Sequence, residues 1–230
     1  MNQVRKTPLV IIIAGLRDTG KTTLVSLLIR HFSSRIYGNL NILTMKSIAN
    51  PETTLEIPRI DTFSHRKAGA VATIGMTHSE LTIHIPLQLE GSTNKFDSGL
   101  DIENVIQKRL TTREDLSQFI IPFIKEVNNI QTRYLPTPID LVLCEAHNIE
   151  FGDPSYLKKQ INPYWIMTVK NKKNFKEIKA FIENNIDNIN LLGFYVRDDM
   201  ENIKKQLPKN EKWLTRQQII DFIQEKLQLG

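Results

Sequence analysis

The stretch Gly15-Leu16-Arg17-Asp18-Thr19-Gly20-Lys21-Thr22 satisfies the phosphate-binding pattern G-x-x-x-x-G-K-[ST] at every position. The spacing has a chemical reason. Gly15 and Gly20 permit backbone angles that other residues resist, so successive N–H groups can turn inward toward phosphate oxygens. Lys21 adds a point charge near the β- and γ-phosphates, and the Thr22 hydroxyl is of the type that ligates Mg²⁺. The candidate nucleotide contacts are therefore Gly15, Asp18, Thr19, Gly20, Lys21, Thr22 and Thr23. A second chemical residue is Glu145, which ends the apolar run Ile139-Asp140-Leu141-Val142-Leu143-Cys144. A carboxylate at such a strand end can hold a metal or its water, or orient an attacking water. Lys21 and Glu145 are the candidate catalytic pair.

Elements on either side must position these groups. Leu9 to Ala14 is continuously apolar and β-branched, the pattern of a strand covered on both faces in a parallel sheet. Thr23 through Ile29 continue as a helix with Leu24, Leu27 and Leu28 apolar, and its N-terminal dipole favours an anion. Leu40 to Met45 reads as a second strand ending at Lys46, and residues beyond such ends gather at the ligand crevice. Ser47 to Ile60 reads as a loop. From Pro58 to Ala70 the chain is polar and potentially helical; Asp61 fits a helix cap and a metal neighbour equally well. Val71–Ile74 and Leu81–Leu87 are expected to pair as a hairpin. Helical patterns follow at 101–110 and 113–127, so 101–128 reads as a helical insertion.

Further strands are expected at Tyr164–Val169 and Leu191–Val196, and a helix at Lys176–Asn184. A closing helix follows a capping box at Thr215-Arg216-Gln217-Gln218. Asn171-Lys172-Lys173-Asn174 is similar to the guanine-reading N-K-x-D, with Asn in the last place. Asn171 is the candidate base contact, and Asn174 fits a helix cap as well. His147, two residues past Glu145, fits a loop histidine or a ligand contact.

The chain has 230 residues, 40% of them hydrophobic, enough for one P-loop domain spanning 1–230. No run reaches the ~18 apolar residues that would span a bilayer, and the start lacks a secretory signal core. The expected setting is cytoplasmic, without membrane association. The single cysteine, Cys144, excludes an internal disulfide and suits burial in its strand. The net charge of +5 is dispersed, and the short clusters at Lys170–Lys173 and Lys204–Lys209 lack interleaved aromatics. Nucleic acid is not the expected partner.

Residues Lys46 to Ala70, taken with the loop and the Glu145 strand, resemble the molybdopterin-guanine dinucleotide biosynthesis protein B family (MobB). In that family a strand ending in Lys-His is followed by P-G-K-D-S-x-x-x-R-x-A-G-A, then a hairpin, then a strand ending V-E-G. This chain has Met45-Lys46, then Pro58, Asp61, Thr62, Arg66, Ala68, Gly69 and Ala70 in register. It departs at Ser47, Arg59-Ile60 and Ala146. The resemblance implies an α/β, three-layer P-loop NTPase fold with a mainly parallel sheet, an added β-hairpin and a homodimer. It also implies GTP with Mg²⁺ as ligand, slow hydrolysis, and a supporting role beside the molybdenum cofactor guanylyltransferase, with molybdopterin as a further ligand. By matching position, Lys21 and Thr22 would hold phosphate and metal, and Asp61 and Glu145 would lie near the metal. The alternative from another class is a P-loop small-molecule kinase, whose phosphoryl-closing arginines would come from Arg59, Arg66, Arg109 and Arg113.

Overall fold

A computed structural model describes residues 7–34, 36, 39–47, 61–76, 81–84, 121, 124, 138–146 and 151–229. The apolar run at the start forms β1 (Leu9–Ala14), the glycine loop follows, and α1 (Lys21–Phe32) starts directly after Gly20. The chain continues as β2 (Ile42–Ser47), α2 (Asp61–Ala68), β3 (Ala72–Met76) and β4 (Leu81–His84). Then come β5 (Leu141–Glu145), α3 (Pro154–Ile161), β6 (Tyr164–Thr168), α4 (Lys172–Asn184) and β7 (Asn190–Tyr195). The short α5 (Glu201–Lys204), β8 (Trp213–Leu214) and α6 (Arg216–Leu227) close it.

The strands form an 8-stranded sheet in the order β4-β3-β2-β5-β1-β6-β7-β8. Every neighbouring pair is parallel except β3 and β4, which are antiparallel. This is the three-layer α/β P-loop arrangement with an added hairpin that the sequence predicts. Side chains of β1 alternate between two buried faces, which is why the strand reads as continuously apolar. Ile11 and Ile13 face Leu24, Leu28, Ile29 and Phe32 of α1 and Ile219, Ile220 and Ile223 of α6. Val10, Ile12 and Ala14 face the opposite layer with Leu157, Phe175, Ile178 and Ile182, joined by Ile121 and Ile124.

Several boundaries differ from the expected ones, each for a local reason. The second strand is shifted toward the C-terminus, to Ile42–Ser47, because its register is set by pairing with β3 and β5. The hairpin's first strand runs to Met76, and of its second strand residues 81–84 are described. α4 begins a turn earlier than expected because Asn171, not Asn174, caps it, its side chain accepting from Asn174 N at 2.9 Å. α3 was not anticipated: Asp153 caps it by accepting from Ser155 N, and Pro154 stands in its first turn. β8 is too short for a period-two pattern to register. Of the expected insertion 101–128, only Ile121 and Ile124 fall among the described residues, both helical and buried.

Candidate functional site

The loop after β1 lies at the C-terminal edge of the sheet, flanked by the ends of β5 and β6, its neighbours in strand order. Gly15 has φ of 151° and stands against Thr168 at the end of β6: a Cβ there would lie 2.2 Å from Thr168 Oγ1 and 2.5 Å from its carbonyl oxygen. Glycine is required both by the angle and by the space. Thr19 Oγ1 donates to Leu16 O at 2.8 Å and lies 2.6 Å from Thr168 Oγ1, which donates to Ala14 O. Lys170 Nζ donates to Arg17 O at 2.8 Å. The loop is thus tied to β6 by side chains at both of its shoulders. Gly20, in the left-handed region with φ of 90°, leads into α1 without any side-chain cap. No side-chain cap hydrogen bond meets the start of α1, the arrangement that an anion-binding helix terminus uses.

Lys21 is buried, and its Nζ donates to Gly15 O and Leu16 O, each at 2.7 Å. Asp18 takes a left-handed conformation on the exposed crest of the loop, within 3.8 Å of Arg17 Nε. Thr23 is exposed in the first turn of α1.

Beside the loop, three elements deliver polar groups to one carboxylate on a fourth, β5. β5 places Glu145 opposite Ile13 of β1 and opposite Lys46 of β2 in the parallel registers. Thr22 Oγ1 donates to Glu145 Oε1 at 2.6 Å, and Lys46 Nζ donates to the same oxygen at 2.7 Å. Lys46 Nζ is also 3.5 Å from Thr22 Oγ1. His65 of α2 brings Nε2 within 3.1 Å of Oε2, an ion-pair distance off the direction of a hydrogen bond. Glu145 and His65 are fully enclosed, with side-chain exposures of 2% and 0%. Burial pushes the Glu145 carboxyl upward; the His65 imidazole and the Lys46 ammonium beside it outweigh that and hold it down at about 2. The carboxylate is therefore charged at neutral pH.

Thr22 and Glu145, from the expected metal set, are in contact. Asp61 opens α2, the helix that carries His65, and its side chain lies outside the described ones. His147 also lies outside the described residues. Asn171 follows β6, beside the loop's strand, with its side-chain oxygen engaged in capping α4; Asn174 is buried in that helix's first turn. Among the kinase candidates, Arg66 stacks over the Phe63 ring at 5.8 Å, while Arg59, Arg109 and Arg113 lie outside the described residues. Among the described residues no group of three His, Cys, Asp or Glu side chains could hold a metal ion.

Two participants were not placed in the site by the sequence. Lys46 was legible as a strand end, but its pairing with Glu145 depends on β2 lying beside β5. His65 carried no signal beyond its place in a short polar helix.

The stretch from β1 through α2 also carries a family match. Residues 10–103 match MobB, molybdopterin guanine dinucleotide synthesis protein B. The MobB match contains the glycine loop, Thr22, Lys46 and His65, and Glu145 lies beyond it. The fold nevertheless brings Glu145 into contact with residues of the matched segment. No curated protein matches the chain. Among solved structures, chloroplast FtsY from Physcomitrella patens is similar at 12% identity and a TM-score of 0.42, covering 97% of this chain and 68% of that one. No described helix is long and apolar enough to cross a membrane.

Proposed function

We propose that this chain is a GTP-binding adaptor with slow, Mg²⁺-dependent GTPase activity that supports the guanylyltransferase step of molybdenum cofactor maturation. One observation carries the nucleotide reading: an uncapped helix start and its glycine loop stand beside a buried, charged Glu145 whose Oε1 is 2.6 Å from Thr22 Oγ1. The MobB match of residues 10–103 supports the cofactor pathway.

The roles follow from the residues present. The loop N–H groups and the start of α1 bind the polyphosphate, and Lys21 leaves the Gly15 and Leu16 carbonyls to meet it. Thr22 and Glu145 are the hard oxygen donors suited to Mg²⁺, with Asp61 a further candidate by its match to the family motif. When bound, Mg²⁺ neutralises charge on the β- and γ-phosphates. Glu145, held charged, would orient the attacking water. In this reading Asn171, just past β6, would contact the base, and Gly15, Asp18, Thr19, Gly20 and Thr23 would meet the phosphates.

Calorimetry with GTP and with ATP, in Mg²⁺, tests the reading. GTP should bind more tightly than ATP. Lys21→Ala should weaken GTP by at least about tenfold, the worth of a charge-assisted hydrogen bond. An unchanged affinity in that variant would remove the P-loop assignment, and transfer of phosphate to a small acceptor instead of water would favour a kinase.

A further inference from the structure

The oxygens that suit a divalent ion already share a cation. Thr22 Oγ1 and Glu145 Oε1 are 2.6 Å apart, and Lys46 Nζ lies 2.7 Å from the carboxylate oxygen and 3.5 Å from the hydroxyl. The ammonium thus lies against the same two oxygens that a divalent ion would need. This placement is built into the sheet, since Lys46 and Glu145 are direct partners in the parallel register of β2 and β5. The Lys46 side chain is 10% exposed, so it cannot drift into solvent as a surface lysine does. A carboxylate as buried as Glu145 needs a compensating charge, and removal of that charge is strongly unfavourable. His65 closes the other oxygen and leaves Oε1 as the side on which cations exchange.

We infer that Lys46 is the resident cation of this site: it gives the loop enough positive charge to hold a nucleoside polyphosphate without a divalent ion, and Mg²⁺ enters only by displacing it from Glu145 and Thr22. Mg²⁺ gives up its water reluctantly and demands octahedral oxygen ligands. Against it stands an ammonium already hydrogen-bonded to the carboxylate. The metal therefore adds less to nucleotide affinity here than it would at the same oxygens without the lysine. Displaced, Lys46 stays within a side-chain swing of Thr22 and so of the phosphates that the loop holds, and its charge is kept in the complex.

The inference rests on the nucleotide reading above, and one set of titrations separates the two. GTP binding to the full chain is measured by calorimetry in EDTA and in Mg²⁺, for the parental protein, Lys46→Met and Lys46→Arg. The parental affinity in EDTA should lie within about tenfold of that in Mg²⁺, while Lys46→Met should lose at least a further tenfold in EDTA, about the worth of one charge-assisted hydrogen bond, and recover in Mg²⁺. Lys46→Arg, which keeps the charge, should retain binding in EDTA. A parental protein that binds GTP only with Mg²⁺ would overturn the inference without any variant, so a failure of Lys46→Met to fold leaves the question decidable. Equal losses in EDTA and Mg²⁺ for a folded Lys46→Met would overturn it too, and leave the nucleotide reading standing. No GTP binding by the parental protein in either condition would overturn both.

Discussion

Glu145 is approached from three directions, by Thr22, Lys46 and His65, and the consequences of that crowding can be measured one residue at a time. Its folded carboxyl sits at about 2, below its ordinary value of 4.5. The sign is that of a depressed acid: the stabilisation is fully present above the ordinary value and is lost as pH falls from there toward about 2. Melting temperatures of the metal-free protein should fall across that window, and Glu145→Gln should flatten the fall; a parental slope retained in the variant would assign the acid sensitivity elsewhere. His65→Ala removes the ion-pair neighbour of the buried Glu145 Oε2, and urea unfolding should show a loss of about 3–5 kcal/mol, the usual cost of breaking a buried ion pair from one side. At this scale the sequence announces the loop, because a local motif needs only its own spacing. It also announces Glu145, because a carboxylate ending an apolar strand is a local pattern. His65 is silent: its meaning comes from α2 packing toward the end of β5, which no spacing within the chain encodes.

Among the elements, the glycine loop and the helix caps carry the sharpest expectations. Gly15→Ala forces a Cβ into the hydroxyl and carbonyl of Thr168, and no side-chain rotation relieves the backbone clash. The loop should lose its shape, and GTP binding should become undetectable by calorimetry while circular dichroism still reports the α/β fold. Retained binding would mean that the loop bends away from β6 at little expense. Thr215 accepts from Gln218 N while the Gln218 side chain accepts from Thr215 N. Thr215→Ala should therefore lower stability by about 1 kcal/mol in urea unfolding. That capping box was readable because both partners lie within one turn. α3 was not: Asp153-Pro154 is a sound start signal, but its helix is only Pro154–Ile161 with one buried residue, Leu157, so no apolar stripe advertises it. The one-turn extension of α4 to Asn171 shows the same limit, since two asparagines at cap spacing compete and only packing chooses.

For the whole molecule, the strand order places β4 at one edge of the sheet and β8 at the other among the described residues. An uncovered edge invites pairing with another strand. The homodimer we propose would bury the β3–β4 hairpin about a two-fold axis. Light scattering coupled to size exclusion should report a dimer at micromolar concentration, and Ile83→Glu should shift it toward monomer with GTP affinity retained; a monomeric parental protein would end the proposal. The opposite region of the sheet, its centre, has a different consequence. Cys144, the chain's single thiol, lies fully buried on β5 between β1 and β2, and burial pushes its ionisation well above the ordinary range. It is a chemical clock wired to the middle of the sheet. An alkylating reagent can reach that sulfur only when the central strands part, so the rate of labelling counts openings of the fold. Glu145 is the next residue, and GTP that stabilises the closed state should slow the clock in proportion to one plus its concentration over its dissociation constant. The protein thus carries its own ligand detector, readable by mass spectrometry with no added probe on the surface.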